Sequence, residues 1–583
     1  MTQSPKKIPY GIADAAEVLS DKYYYVDKTH FIPVLENAGR HIVVLRPRRF
    51  GKSLLISTLE LYYDINRKHR FQEFFKDTWI GKNPTELQGS FLVIRFNFSA
   101  VRADPLKVEH DFNLYVHDIL VRFVDRYKKL IPDDLKKSIL ALENGVEMLR
   151  RVLSEEFYEK TRHKIYILID EYDNFANAIL SAYSHEEYMQ LTHGGGFFKD
   201  FFKKLKAATE ESESSLAKLF ITGVSPITLD DVTSGFNIGE NLSLDPEYAT
   251  LFGFTEQEVE KLYEYYASFD FLKISKKNFF DLITYWYNRY RFSRRSNSKV
   301  DNPDMVFYFL KRSLKRDYLP DDLIDENVRI DYAKMRHLIT VDRKVKTFNG
   351  NFSILKQIIE NGIAGGRVVK TFPLERLTHP QNFTSHLFYL GLLSFNGDDE
   401  LIIPNETVNQ LLYEHLRDAY EDTGIFRSNL YFLAEKIRKM AYSGEWKGVF
   451  EQLSSEINTQ TSIRDYLQGE QTIKAFLAAY ISITDYFIVH LERELNKGFA
   501  DLYLKPFYEK NQKVRFGYLI EIKYIPRREK LTENILNKKR TEAKAQLLKY
   551  AEDDVISRKS PKELKLIYQI WHGWELVEME EIG

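Results

Sequence analysis

Residues 42–63 read IVVLRPRRFGKSLLISTLELYY, and this succession of strand, loop and helix constrains the fold more than any other stretch of the chain. Ile42 to Leu45 is β-branched and of strand length, whereas Leu54 to Tyr63 carries helical spacing. Between them RPRRFGKS, Arg46 to Ser53, leads into a helix start. Backbone N–H groups there, at the positive end of the helix dipole, favour phosphate oxygens. Lys52 would reach the outer phosphates as a point charge, and the Ser53 hydroxyl would sit on Mg²⁺. Arg46, Arg49, Gly51, Lys52 and Ser53 are therefore the candidate nucleotide-binding residues. The pattern Gly-x4-Gly-Lys-Ser/Thr asks for glycine at position 46, where this chain has arginine.

Further apolar runs, Phe91 to Phe96, Ile165 to Ile169 and Leu219 to Thr222, alternate with helical stretches such as Pro105 to Tyr127. That alternation predicts an α/β domain over residues 1–245, with a parallel sheet covered on both faces. Ile165 to Asp173, IYILIDEYD, ends its strand in two acids at the ligand-binding edge of such a sheet. Asp170 is suited to hold Mg²⁺ through water, and Glu171 to polarise the attacking water. FITGVSP, Phe220 to Pro226, ends a further strand, from which Thr222 or Ser225 could sense the γ-phosphate.

At 583 residues the chain has room for several domains and for a large core. Its 83 Lys and Arg against 84 Asp and Glu exclude a globally basic coat protein, although a local basic groove is compatible with a net charge of −1. Cysteine is absent, which excludes disulfides, thiol nucleophiles and cysteine-bound zinc. The 14 histidines show no metal-ligand spacing. The start, MTQSPKKIPYGIADAAE, lacks a signal-peptide apolar run, and Ala475 to Thr484 is too short to span a bilayer, so a cytoplasmic protein is expected. His193-Gly-Gly-Gly196 has no strand before it and reads as an inter-helix loop. After Asp245-Pro246 the pattern turns helical, opening on the capping-box spacing Thr255-Glu-Gln-Glu258. Residues 246–480 are expected to be a helical lid or connector region. From 481 short alternating strands return.

IPYGIAD, YYYVDKTHFIPVLEN, RPRRFGKSLL, IDEYDNF, ITGVSPITLDDVTSGFNI and WYNRYRFS together resemble the AAA-ATPase-like domain family of bacterial predicted ATPases over about residues 5–310. The resemblance implies a P-loop NTPase fold that binds ATP with Mg²⁺. It also implies that arginine is tolerated at position 46, and that Tyr25 to Thr29 lie near the adenine. WYNRYRFS departs from the family's usual glycine at Arg289.

In the last hundred residues Asp501, in GFADLYL, is followed by Glu521-Ile-Lys523, in YLIEIKY. Alternation along a strand sends Glu521 and Lys523 to one face, where Asp501 on a neighbouring strand can join them. Two carboxylates and a backbone carbonyl suit Mg²⁺, and Lys523 would orient or activate the attacking water. Glu492 is a candidate further ligand or general base, and Gln546 a candidate for holding substrate or water. Nine Lys and Arg against four Asp and Glu from Glu521 to Tyr550 mildly favour a phosphate-facing surface. With QLLKY on the following helix, the segment resembles the PD-(D/E)XK nuclease superfamily over about residues 480–575. The match falls on Glu492, Asp501, Glu521, Lys523 and Gln546, and implies a C-terminal α/β restriction-endonuclease-like domain over 481–583.

The expected protein is an ATPase that regulates a metal-dependent nuclease. Its partners are ATP and nucleic acid, DNA ahead of RNA, with no membrane and with self-association left open. The competing expectation is a signalling or scaffold ATPase whose C-terminal fold binds without cutting.

Overall fold

The strands expected in the first 245 residues form one parallel sheet. β1 (His41–Leu45), β2 (Leu92–Asn97), β3 (Ile165–Asp170), β4 (Leu216–Gly223) and the short edge strand β5 (Glu240–Asn241) run in the order β2-β3-β4-β1-β5. Every residue of β1 and β3 is buried, which explains their unbroken apolar runs. Helices α1 (Lys52–Tyr63) and α2 (Val108–Arg126) pack on β3 and β2 respectively. One strand, β4, stands between the phosphate-loop strand and the acidic strand. Because all three run parallel, their carboxyl ends reach the same edge.

This computed structural model describes residues 4–102, 104, 106–174, 177–178, 196–211, 213–227, 239–288, 290–314, 319–320, 322–339, 341–342, 347–348, 350–397, 399–495, 498–553, 556 and 561–582. The turn at Arg289, residues 228–238 of ITLDDVTSGFNI and His193 to Gly195 lie outside them. The chain divides into two compact units, 1–317 with 364–405, and 318–363 with 406–583. The helical stretch 246–480 thus contributes to both. At its start α3 (Glu256–Ala267) has a complete capping box: Thr255 accepts the Glu258 N–H, and the Glu258 carboxylate accepts the Thr255 N–H at 2.8 Å.

Within the first unit, helix α4 (Pro380–Tyr389) buries His386, whose two ring nitrogens have no hydrogen-bond partner. Burial pushes its pKa down to about 4. The unfolded chain takes up a proton at His386 below about pH 6.5, and the folded chain does not until about pH 4. Stability is therefore expected to fall as pH drops across that window, by roughly 1–3 kcal/mol from this group. His386→Leu should flatten that part of a Tm-against-pH curve; an unchanged slope would assign it elsewhere.

The second unit ends in a five-stranded mixed sheet preceded by helix α5 (Glu470–Ile481). β6 (Phe487–Leu495), β7 (Gly498–Pro506), β8 (Phe516–Ile525), β9 (Glu563–His572) and β10 (Glu575–Ile582) lie in chain order. Only β8 and β9 pair in parallel, joined through helix α6 (Glu533–Ala551), which packs on both. Leu495, Leu519, Leu547 and Ile570 are core residues between helix and sheet. The last two strands were not anticipated from the sequence. The apolar run at Ala475 belongs to α5, whose residues Thr472 to Ile481 are all buried. Among the described residues no helix is long and apolar enough to cross a membrane.

Candidate functional site

Two groups of residues carry chemistry, one in each unit. In the first, the loop after β1 enters α1 through two left-handed residues, Arg49 at φ +68° and Gly51 at φ +89°. The N-cap residue, Gly51, has no side chain with which to cap this helix. Lys52, at the first helical position, is buried and curls back to donate to the carbonyls of Arg46 (3.1 Å) and Pro47 (2.9 Å). Burial pushes its pKa down, against the pull of Glu171, Asp170 and Asp173. The ammonium thus lies within the field of the acids at the end of β3.

Arg46 corrects an expectation. Its guanidinium turns into the core, donating to Leu45 and Ser243 carbonyls at 2.8 and 2.6 Å and to that of Tyr248 at 3.1 Å. It lies 4.5 Å from the Phe292 ring centre, and its backbone N–H is held by the Gly223 carbonyl. The guanidinium Nη atoms and the backbone N–H are thus committed to protein carbonyls. Arginine replaces glycine here because the side chain serves as a buried anchor, beside Phe50 packed edge-on against Tyr290 and Phe292. Arg46→Gly is accordingly expected to lower Tm by several degrees, since it strips three buried carbonyls of a charged donor, worth roughly 2–3 kcal/mol. Thermal unfolding with and without nucleotide checks this, and an unchanged Tm would contradict it. Arg49 pairs with Asp304, on the helix Pro303–Ser313, at 2.7 Å.

At the end of β3, Asp170 is fully buried, and its carboxylate faces the Ser53 hydroxyl without a well-formed hydrogen bond. Burial raises its pKa, opposed by the neighbouring Ser53 hydroxyl and Lys52. A buried carboxylate facing a serine hydroxyl fits a hydrated Mg²⁺ ion between them. Glu171 follows in left-handed geometry, φ +48°, half-buried, with its carboxylate accepting the Asn174 amide at 2.6 Å. Ser225 is a second correction. Its N–H donates to Asp173 (2.6 Å), its carbonyl accepts the Tyr172 hydroxyl and its own hydroxyl accepts the Ile227 N–H. It is a buried latch between the ends of β3 and β4, not a group facing the loop. The tightness is steric as well: a Cβ on Gly223 would come within 2.4 Å of Asp173 and Tyr172.

In the second unit the neighbours of the three acids pair across β6, β7 and β8, Leu491 with Leu502 and Leu502 with Ile520, which puts Glu492, Asp501 and Glu521 at adjoining positions on the three strands. Glu492 breaks the ladder with φ +47°. Asp501 uses Oδ2 to accept the Ile522 N–H at 2.7 Å, so its carboxylate substitutes for a backbone acceptor and is fixed in place. The Lys523 ammonium is 2.7 Å from Glu521 Oε1, whereas Oε2 is buried without a partner. Burial, and then the Asp501 charge, push Glu521 up to about 8, against Lys523. Asp501 is raised by burial too, with Lys474 opposing. Among the described residues no three His, Asp or Glu side chains form a ready-made metal cage. Asp501 Oδ1 and the orphaned Glu521 Oε2 are the oxygens that could hold a divalent cation. Gln546 is on α6 with a buried, unpartnered Oε1, one turn before Tyr550. The Tyr550 pKa is raised by burial, then by Glu521 and Asp501. Gly498 leaves room for that ring, since a Cβ there would meet the Tyr550 hydroxyl at 2.9 Å.

Lys474 was not foreseen. It projects from α5 with its side chain 3% exposed, and its ammonium lies 2.5 Å from Asp501 Oδ1, 2.7 Å from Glu492 and 2.9 Å from Glu470. A lone lysine opening the apolar run IKAFLAAYI, four residues after a glutamate, was the available signal.

Comparison with known proteins agrees with this division. Residues 9–233 match the family described as predicted AAA-ATPase, and residues 468–581 match the PD-(D/E)XK nuclease superfamily. The second match includes α5 and therefore Lys474. A curated relative, an uncharacterised protein in the vnfD 5′ region of Azotobacter chroococcum mcd 1, is 27% identical over 323 residues, 54% of this chain and 53% of that one. The chain spans about half the length of that relative.

Proposed function

We propose that this chain, which joins an AAA-ATPase-like domain to a PD-(D/E)XK nuclease superfamily domain, is an ATP-regulated, metal-dependent nuclease that hydrolyses DNA phosphodiester bonds. The observation that carries this reading is the meeting of Asp501, Glu521 and Lys523 on one sheet face, with one carboxylate oxygen of Glu521 buried and unpartnered. Burying an ionisable group in that state is costly unless a ligand completes it. Asp501 and Glu521 would hold a divalent cation, which supplies Lewis-acid stabilisation of the charge developing on phosphate. Lys523, held by Glu521, is positioned to orient the attacking water or to neutralise that charge, and Gln546 to hold substrate or water. Glu492 keeps Lys474 in register with the row.

The nucleotide reading rests on Gly51, Lys52, Ser53 and Asp170. The uncapped N–H groups of α1 would receive phosphate oxygens, and Lys52 would exchange two loop carbonyls for phosphate. Ser53 and Asp170 would hold Mg²⁺ between them, and Glu171 would position the attacking water. Arg49 supports the loop through Asp304. ATP is expected to alter the rate of cleavage.

The deciding experiment incubates the purified full chain with single-stranded DNA, double-stranded DNA and RNA, in Mg²⁺ or Mn²⁺, with and without ATP. Cleavage of DNA that depends on metal and disappears in Asp501→Ala supports the reading. Binding without cleavage under every condition would assign the C-terminal domain to recognition alone.

A further inference from the structure

The Lys474 ammonium occupies an unusual place for a buried lysine. Its three N–H donors meet three carboxylates, from Asp501, Glu492 and Glu470, at 2.5, 2.7 and 2.9 Å. Asp501 has only one oxygen to offer a cation, because Oδ2 already accepts the Ile522 N–H, and that remaining oxygen, Oδ1, is the one Lys474 holds. Glu521, by contrast, keeps Oε2 free of any partner. Half of the two-carboxylate site is thus open and the other half carries a protein cation.

We propose that Lys474 is an internal cation that competes with the divalent metal for Asp501, so that metal capture requires its ammonium to withdraw onto Glu470 and Glu492. This rests on the reading of Asp501 and Glu521 as the metal-holding pair. Two features favour an exchangeable lysine over a fixed strut. First, its charge remains paired after withdrawal, since two of its three partners lie outside the Asp501–Glu521 pair. A buried ammonium left with no partner would be strongly unfavourable, but one that retains two is not. Second, Glu470 lies one helical turn before Lys474 on α5, so a change of side-chain rotamer can shift the ammonium along the helix without moving the backbone. The device keeps two neighbouring carboxylates from repelling one another before metal arrives, and it sets a threshold concentration below which the site stays closed.

The competing account is that Lys474 only props Asp501 in place, and the two accounts predict opposite signs. Mn²⁺ binding is measured by electron paramagnetic resonance on the full chain, with Asp501→Asn defining the signal that belongs to this site and not to the nucleotide site. Lys474→Met is expected to tighten the Asp501-dependent binding about ten-fold, because a competing cation is gone. Glu470→Gln removes part of the refuge and is expected to weaken it about three-fold; it is half-exposed and carries the test if Lys474→Met does not fold. Folded Lys474→Met that binds Mn²⁺ equally or more weakly overturns the competition while leaving the metal site standing. Equal or tighter binding by Glu470→Gln does the same. Absence of Asp501-dependent Mn²⁺ binding in both wild type and Lys474→Met overturns the competition and the metal-site reading together.

Discussion

Asp501→Ala is expected to remove both metal capture and DNA cleavage, the latter by about a thousand-fold or more, whereas Lys523→Ala should separate the two. Asp501 would contribute an oxygen to the proposed cation, and it also accepts the Ile522 N–H, so its loss opens the ladder between β7 and β8 as well. Lys523 pairs with Glu521 Oε1 and leaves Oε2, the oxygen proposed for the cation, without a partner, so the metal should still bind within about three-fold of wild type. Cleavage by Lys523→Ala should nonetheless fall by about 10²–10³-fold, since an ammonium beside the reacting phosphate acts mainly in the transition state. Calorimetry with Mn²⁺ and a gel assay on the same preparations read the two quantities independently. If both variants cut as wild type does, the chemistry lies elsewhere.

The second large effect concerns the nucleotide site. Lys52→Ala should reduce ATP affinity by about a hundred-fold or more, because the buried cation proposed to reach the phosphates is lost and neither Arg46 nor Arg49 is placed to replace it. Arg46 is committed to core carbonyls and Arg49 to Asp304. Glu171→Gln should retain ATP and lose turnover by about 10²–10³-fold, since the amide keeps the shape but not the basicity of the carboxylate. Fluorescent-nucleotide titration and phosphate release distinguish the two. Retained affinity in folded Lys52→Ala would remove the loop from the nucleotide site. Undiminished turnover in Glu171→Gln would move the water-positioning role to another residue.

Much of the architecture was legible because it follows from local patterns. The buried strands β1 and β3 are unbroken apolar runs, α1 has helical spacing, and Thr255 with Glu258 announces a helix start that the structure realises in full. β5 was not legible: two residues carry no periodicity, and Glu240 and Asn241 become a strand only because β1 offers them a free edge. β9 and β10 were missed for a related reason, since their pairing depends on a partner strand, β8, that α6 separates from them in sequence.

Residue chemistry and spacing alone singled out Lys52, Ser53, Asp170 and Glu171 in one region and Asp501, Glu521 and Lys523 in another, because phosphate and metal chemistry demand those types at strand ends and on alternating strand positions. Sequence could not say where a long side chain goes. Arg46 is adjacent to the loop in the chain, yet its guanidinium finds carbonyls of Ser243 and Tyr248 some two hundred residues away. Ser225 ends a strand beside the acidic one, and Asp173 draws it into a latch. Lys474 stands 27 residues before Asp501 in the chain, and only the packing of α5 against the sheet brings its ammonium to that carboxylate. Backbone grammar is local, and is written in the order of residues. The partner of a buried charge is chosen by whatever polar atoms the tertiary fold leaves within reach, because a charge removed from water must be paired wherever it comes to rest.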